Sequence, residues 1–266
     1  MILLKRCRNC KASYMRNTLR FIVFWFALML SSIAHSERVT VAAASSLQFV
    51  LRELALEYER ITNASAPKLV FGSSGNLYRQ IVQGAPFDIF FSARSELVTQ
   101  LSEADLSADK GARFGTGRLV LLYGVDAPVV NDLSDVIKSG VLRNKTKIAI
   151  ANPAHAPYGR AAQEVLQSLQ LWESVSRSVI NGEQVSQAAQ FVVNGAVPYG
   201  LVSLTLALAP SVKTSTSYYL VEDNLHEPIE LQMVRTNEDN EAALHFYNFV
   251  FKNPAADEIF KRYGLR

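Results

Sequence analysis

Cysteine and histidine are scarce in this chain. The two cysteines, Cys7 and Cys10, both lie within the first ten residues of the 266-residue sequence. The remaining 256 residues can therefore form no disulfide, and their stability must come from a hydrophobic core. The four histidines show no H-x-x-x-H spacing, which excludes the most common helical zinc motif.

The first 36 residues differ in composition from the rest. They contain six basic residues and no acidic residue. The apolar run Phe21–Leu30 follows the basic part, and mostly small residues occupy 31–36. This order predicts a secretory signal peptide at residues 1–36, with Met15 as an alternative start codon. A membrane span needs about twenty apolar residues, and this run is shorter.

Removal of that segment changes the charge of the protein. The whole chain has 27 basic and 24 acidic residues, and without the six basic residues of the leader the balance is 21 to 24, or −3. A weakly acidic protein lacks the basic surface that nucleic acids require, so no nucleic-acid partner is expected. Both cysteines leave with the leader, and their C-x-x-C spacing is no evidence for a redox or zinc site.

Apolar strand-like runs alternate with amphipathic helical runs after residue 38. The first strands are predicted at 39–43, 67–71 and 87–91, with helices between them. This order predicts an α/β protein with largely parallel sheets and helices on both faces. Further strands are predicted at 118–123, 147–151, 178–180, 199–202, 217–221 and 230–234, and the last two helices at 241–251 and 254–262.

Four predicted strand-to-helix turns carry small or neutral hydrogen-bonding residues. They are Ala44–Ser46, Gly72–Gly75, Ala156–Gly159 and Glu183–Val185. A helix N-terminus offers free N–H groups and a partial positive charge, which together favour an anion. Ligands of open α/β sheets bind beyond the carboxyl ends of the strands, where these turns lie. The alternative interpretation is that the serines only cap helices or stabilise turns.

The donors in these turns are uncharged, which narrows the choice of anion. An oxyanion that is fully deprotonated at neutral pH offers only acceptors, so a pocket of donors suits it. Phosphate keeps a proton part of the time and would gain from a buried carboxylate. Glu183 is the only carboxylate in the four turns, and its place in a first helical turn explains it without a ligand. The pattern favours a sulfate-like or molybdate-like dianion.

Five motifs span the chain: VAAAS at 41–45, FGSS at 71–74, RQIVQGAP with DIFFSA at 79–93, NPAHAPYG at 152–159 and AADEIFKRYG at 255–264. Together they resemble the periplasmic molybdate-binding proteins of ABC importers, over about residues 38–265. The resemblance implies a two-lobed type II fold with two crossover strands, each lobe a mainly parallel sheet flanked by helices. It implies lobe I at 37–117 plus 229–266 and lobe II at 118–228.

The resemblance also implies how the ligand is held. The expected contacts are the hydroxyls of Ser45 and Ser74 and the backbone N–H groups of Tyr158 and Val185, with Ser46 as a further donor. The implied protein is a periplasmic monomer, not an enzyme and without a cofactor. It binds molybdate or tungstate and delivers it to a membrane permease.

One position departs from the family, and other functions stay open. Ser203 stands where many members have a tyrosine, and our hypothesis is that the Tyr158 hydroxyl replaces that donor. The alternative ligands are sulfate and Fe(III). Tyr218 and Tyr219 suggest iron, but neighbouring residues of a strand face opposite ways. An exported serine hydrolase is a further alternative, although the sequence has no G-x-S-x-G motif and no assignable Ser-His-Asp set.

Overall fold

The computed structural model describes residues 38–125, 130–138 and 146–265. The predicted signal peptide lies outside these residues. Ten strands are described: β1 Thr40–Ala44, β2 Lys68–Gly72, β3 Ile89–Ser92, β4 Ala112–Gly117, β5 Leu119–Gly124, β6 Ile148–Ala151, β7 Val179–Gly182, β8 Tyr199–Ser203, β9 Thr216–Leu220 and β10 Ile229–Arg235.

Eleven α-helices and three short 3₁₀ turns are described between and after these strands. The helices are α1 Gln48–Thr62, α2 Ser74–Val82, α3 Ser95–Glu103, α4 Leu133–Val136, α5 Pro157–Ser168, α6 Trp172–Val175, α7 Val185–Val193, α8 Leu204–Ala207, α9 Pro210–Lys213, α10 Glu241–Lys252 and α11 Pro254–Arg262. The 3₁₀ turns are Ser45–Leu47, Ser176–Ser178 and Asp223–Leu225. None of the described helices is long and apolar enough to cross a membrane.

The strands form two five-stranded sheets, one in each lobe. The sheet of lobe I has the order β2-β1-β3-β10-β4, and that of lobe II has the order β7-β6-β8-β5-β9. In each sheet the fourth strand of the order, β10 or β5, pairs antiparallel with both of its neighbours, and the other four strands run in one direction. The sheets are thus mixed but mainly parallel, as predicted, and the one antiparallel strand in each is the strand that the chain enters when it crosses from the other lobe. The first crossing joins β4 to β5, and the second joins β9 to β10.

Strand β1 forms the centre of lobe I. It lies between β2 and β3, and its residues 41–44 are buried on both faces. A strand covered by helices on both sides is expected to be a continuous apolar run, and Val-Ala-Ala-Ala fits. Helix α1 packs its apolar stripe of Val50, Leu51, Leu54 and Tyr58 against this sheet. Each buried leucine contributes about 1.5–3 kcal/mol.

The C-terminal helices return to lobe I and complete its core. Tyr58 of α1 packs edge-on against Phe246 and Phe249 of α10, with ring centroids 5.1 and 5.3 Å apart. Asn253 caps α11 by accepting the N–H of Ala255 at 2.9 Å, and Pro254 occupies the first helical position. The cap at Asn253 and the helix from 254 to 262 were both predicted from the sequence.

Several short elements were not predicted. Strand β4 has the sequence ARFGTG, whose two glycines weaken any strand signal, and it is held in place by pairing with β10. Helices α6, α8 and α9 span four residues each, too few to show a helical period. These elements depend on tertiary contacts rather than on local sequence.

Candidate functional site

A small cavity lies between the two lobes, at the carboxyl ends of β1, β2, β6 and β7. The space between its walls, including the part that is open to solvent, is about 190 Å³. The structure brings all five predicted site residues to its wall. The lining residues are Ala44, Ser45, Ser46, Gly72, Ser73, Ser74, Ala93, Ala156, Pro157, Tyr158 and Val185.

Helical N-termini from both lobes meet at this cavity. The 3₁₀ turn Ser45–Leu47 continues directly into α1, and α2 begins at Ser74. From lobe II, Tyr158 is the second residue of α5 and Val185 is the first residue of α7. The first N–H groups of a helix have no intrahelical partner and lie at the positive end of its dipole. The cavity is therefore suited to negative charge without any cationic side chain.

Two of the serines are held so that they can donate. The Ser74 Oγ accepts the N–H of Ala93 at 3.0 Å, and the Ser45 Oγ accepts the N–H of Ser186 from the opposite lobe at 3.4 Å. A hydroxyl has one hydrogen and two lone pairs. Because a backbone N–H already occupies a lone pair in each case, the hydrogen of each hydroxyl is free to donate to a ligand.

Two further hydroxyls, those of Ser46 and Tyr158, are buried without a hydrogen-bond partner among the described residues. Burial raises the pKa of Tyr158, and the neighbouring Ser46 hydroxyl acts in the opposite direction. The phenol therefore stays protonated and can donate. Leaving such a group unsatisfied costs about 1–3 kcal/mol, so both hydroxyls would gain from an acceptor in the cavity.

The cavity wall is almost free of charge. Across the described ranges, no aspartate, glutamate, lysine, arginine or histidine lines it. A fully deprotonated oxyanion in the cavity would thus be surrounded by uncharged hydrogen-bond donors, as the residues of the four turns predicted. The same part of the chain contains no group of three or more histidine, cysteine, aspartate or glutamate side chains placed to hold a metal ion.

Ser203 does not reach the cavity. It is completely buried, and its hydroxyl lies 2.9 Å from the Thr205 Oγ1. Thr205 in turn donates to the backbone carbonyl of Ser46 at 2.6 Å. Ser203 therefore supports the turn at Ser46 from behind, and it does not supply the donor that a tyrosine would supply.

Comparison with known proteins shows the family to which the chain belongs. The model of the bacterial extracellular solute-binding proteins matches residues 39–266. The chain belongs to this family. The molybdate-binding protein of Azotobacter vinelandii is 32% identical over 249 residues, 92% of this chain and 96% of that protein. A putative ABC transporter substrate-binding lipoprotein of Bacillus subtilis is 31% identical over 232 residues, 85% of each chain.

The fold is that of the family as well. The solved structure of the Azotobacter vinelandii periplasmic molybdate-binding protein superposes with a TM-score of 0.77 at 29% identity, covering 86% of this chain and 99% of that one. This similarity confirms the two-lobed type II fold expected from the five motifs. The relatives are solute-binding proteins rather than enzymes.

Three polar residues at and behind the cavity wall were not predicted to interact. The Ser73 Oγ lies 2.9 Å from the Nδ1 of His155, and the Nε2 of His155 lies 3.3 Å from a carboxylate oxygen of Glu183. No such set of serine, histidine and acid was predicted, because the three residues come from three separate turns. The only indication in the sequence was that the three residues lie in the GSSG, NPAHAPYG and GEQV segments, which form neighbouring turns.

The paired tyrosines do not form a site in the described structure. Tyr218 and Tyr219 lie on β9, where Tyr218 is 41% exposed and Tyr219 packs against the core from the other face. Neither lines the cavity. This geometry does not favour the iron-binding alternative.

Proposed function

We propose that this protein is an extracytoplasmic receptor that captures molybdate, and equally tungstate, between its two lobes. The observation that carries the proposal is the interlobe cavity, where four turns at helical N-termini and several serine hydroxyls meet without an acidic or basic side chain. The molybdate-binding protein of Azotobacter vinelandii, which is similar to this chain over nearly its whole length, supports this ligand.

The proposed contacts are the hydroxyls of Ser45 and Ser74 and the N–H groups of Tyr158 and Val185, with Ser46 and the Tyr158 hydroxyl as further donors. A tetrahedral dianion has enough acceptor oxygens for all of them. Sulfate has the same charge and shape but shorter bonds, so it would leave some donors out of reach. Tungstate is nearly the size of molybdate and should bind comparably.

The proposed transport role follows from the family. The lobes would close over the oxyanion and bury it, as in other hinge-closing binding proteins. The closed form would then be recognised by an ABC permease, and the Bacillus subtilis relative, a putative ABC transporter substrate-binding lipoprotein, supports this partner. We further propose that the protein acts as a periplasmic monomer, without a cofactor and without enzymatic activity.

Calorimetric titration of residues 37–266 tests the proposal. Molybdate and tungstate are expected to bind tightly and one to one, with sulfate at least about a hundredfold weaker. That ratio corresponds to about 2.7 kcal/mol, which a few misplaced hydrogen bonds can supply. Phosphate and Fe(III) are titrated in the same way. Absence of molybdate binding, or tighter binding of sulfate or Fe(III), would contradict the proposal.

A further inference from the structure

His155 contacts turns of both lobes beside the cavity. Its Nδ1 lies 2.9 Å from the hydroxyl oxygen of Ser73, and its backbone carbonyl accepts the N–H of Gly75 at 3.0 Å. Both partners belong to the turn that opens α2 in lobe I. Within its own lobe, the Nε2 of His155 lies 3.3 Å from the Glu183 carboxylate, just before α7. One residue thus joins three of the four turns.

The contacts of His155 fit the neutral imidazole that carries its hydrogen on Nε2. With its hydrogen on Nε2, the imidazole donates to Glu183 and leaves Nδ1 as an acceptor. The Ser73 oxygen accepts the N–H of Asn76 at 3.4 Å, so its own hydrogen is free to donate to Nδ1. In this form each donor faces an acceptor, and the Ser73 hydroxyl donates to Nδ1 of His155 across the two lobes.

The link is also tight and shielded from water. Ser73 is 4% exposed, and the His155 side chain is 10% exposed. A Cβ at Gly75 would lie 2.8 Å from the His155 carbonyl oxygen, so only glycine lets the two backbones approach this closely. Opening the lobes would break both interlobe bonds of His155 together.

We infer that His155 is a latch that holds the two lobes together over the bound oxyanion and sets the rate of its release. For the identity of the ligand, the inference rests on the proposed function. His155 touches no ligand itself and acts as a positioning residue. Ser73 precedes Ser74, His155 lies three residues before Tyr158, and Glu183 lies two residues before Val185. The latch therefore aligns donors from both lobes.

The kinetic consequence is specific. The bonds of the latch form only when the lobes meet, so they retain the anion in the closed cleft and take no part in its approach to an open one. Loss of the latch should raise the dissociation rate, and it should not lower the association rate, because a larger share of the unliganded protein is then open. The loss of a buried hydrogen bond corresponds to a change of up to about tenfold.

The same three side chains also have the composition of a hydrolase triad, but their arrangement differs. In serine hydrolases the serine bonds to Nε2 and the acid to Nδ1, whereas here the two ring nitrogens have exchanged partners. Glu183 is 73% exposed, unlike the buried acid of a triad. The geometry therefore favours a latch, and esterase activity is an outcome of the test below.

Stopped-flow kinetics with molybdate separates the two rates. His155→Ala is expected to release molybdate about ten times faster, with an association rate no lower than that of the wild type. His155→Asn keeps an acceptor near the Nδ1 position and should recover much of the slow release. His245→Ala, an exposed histidine on α10, is the matched control and should change neither rate.

A second measurement needs no ligand, so it is independent of the proposed function. Residues 38–266 contain no cysteine, which allows spin labels at Gln80→Cys on α2 and Gln190→Cys on α7, both exposed. The distance between the labels should lengthen in His155→Ala and stay short in His155→Asn and His245→Ala.

The outcomes distinguish the two proposals. If the wild type does not bind molybdate but His155→Ala still lengthens the label distance, the proposed function fails and the latch stands. Unchanged label distances and unchanged release in His155→Ala would overturn the latch. Hydrolysis of p-nitrophenyl acetate by the wild type that is lost in both Ser73→Ala and His155→Ala would overturn it in favour of a catalytic triad.

Discussion

At the scale of single residues, the cavity depends on hydroxyls whose acceptor side is already occupied. Ser74 is completely buried, and the N–H of Ala93 fixes its oxygen. The sequence predicted this serine from its place in a Gly-Ser-Ser-Gly turn. It could not predict the bond to Ala93, because that contact joins residues of two different strand ends.

Ser74→Ala should weaken molybdate binding about 10- to 100-fold, because it removes one donor to a charged ligand and leaves the Ala93 N–H unsatisfied. Titration calorimetry measures the affinity, and thermal unfolding checks that the variant is folded. Ser65→Ala, an exposed serine before β2, is the control. An unchanged affinity in Ser74→Ala would show that the ligand is held elsewhere.

Tyr158→Phe tests whether the phenol replaces the tyrosine that is missing at Ser203. The Tyr158 hydroxyl is buried without a partner among the described residues, so a ligand that accepts from it gains a hydrogen bond. We expect a loss of affinity of about three- to tenfold, the value of one hydrogen bond. Ser203→Ala should leave the affinity nearly unchanged, because Ser203 does not line the cavity. Equal affinities of wild type and Tyr158→Phe would refute the hypothesis.

Asp88 illustrates a residue with a structural role. Its carboxylate accepts the N–H of Thr40 at 2.7 Å and the side-chain amides of Asn237 and Asn240 at 2.9 and 3.0 Å. It thus joins the starts of β1 and β3 to the segment after β10. Asp88→Ala should lower the free energy of unfolding by about 3–5 kcal/mol, because three donors lose a charged partner. Urea denaturation measures this, and a loss below about 1 kcal/mol would contradict the assignment.

At the scale of elements, the long helices and the central strands followed from their hydrophobic periods. The turn positions followed as well, because each buried run ends in serine, glycine or proline. Strand β4 did not, since its glycines carry no strand signal and its place depends on β10 and on the C-terminus. A Cβ at Gly115 would lie 2.8 Å from the backbone oxygen of Leu265.

The crossing between β4 and β5 contains a glycine whose role appears only in three dimensions. A Cβ at Gly117 would overlap the Tyr158 hydroxyl and approach the Ile229 side chain to 2.9 Å. Gly117 ends β4 and Ile229 begins β10, so Gly117 lies where the two crossings between the lobes come close together. The Tyr158 hydroxyl lies beside Gly117 at this place.

Gly117→Ala should therefore weaken molybdate binding, because the added methyl group pushes Tyr158 away from its place at the cavity. The double variant Gly117→Ala/Tyr158→Phe removes the overlapping hydroxyl. Its loss of binding free energy should be smaller than the sum of the losses in the two single variants. A double-mutant cycle by calorimetry measures the difference. Additive effects would show that the two sites are independent.

At the scale of the whole molecule, the protein relies on two mixed sheets and their helices, since residues 38–266 contain no cysteine. The two-lobed fold was predicted from the resemblance, and the alternation of elements agreed with it. The mainly parallel sheets were predicted too, but the one antiparallel strand in each was not, because its direction depends on which lobe the chain has just left. The lobe boundaries at 117 and 228 remain a prediction.

Alkaline pH should destabilise the fold. Burial raises the pKa of Tyr247 and of Tyr263 to about 12, and the carboxylates of Asp109 and Glu53 add to the two shifts. Both tyrosines ionise near 10 in the unfolded chain, so the stability they provide is complete below pH 10 and is lost between pH 10 and 12. Urea denaturation at pH 9, 10.5 and 11.5 measures the decline, which the double variant Tyr247→Phe/Tyr263→Phe should flatten. A decline of equal slope in that variant would contradict this origin.

The central claim is that a tetrahedral oxyanion is held between the lobes by neutral donors. A crystal structure of residues 37–266 grown with molybdate, with anomalous data collected at the molybdenum edge, tests this claim most directly. We expect one strong peak in the cavity, with oxygens within hydrogen-bonding distance of the Ser45 and Ser74 hydroxyls and the N–H groups of Tyr158 and Val185. A peak only outside the cavity, or a cavity without one at saturating molybdate, would contradict it.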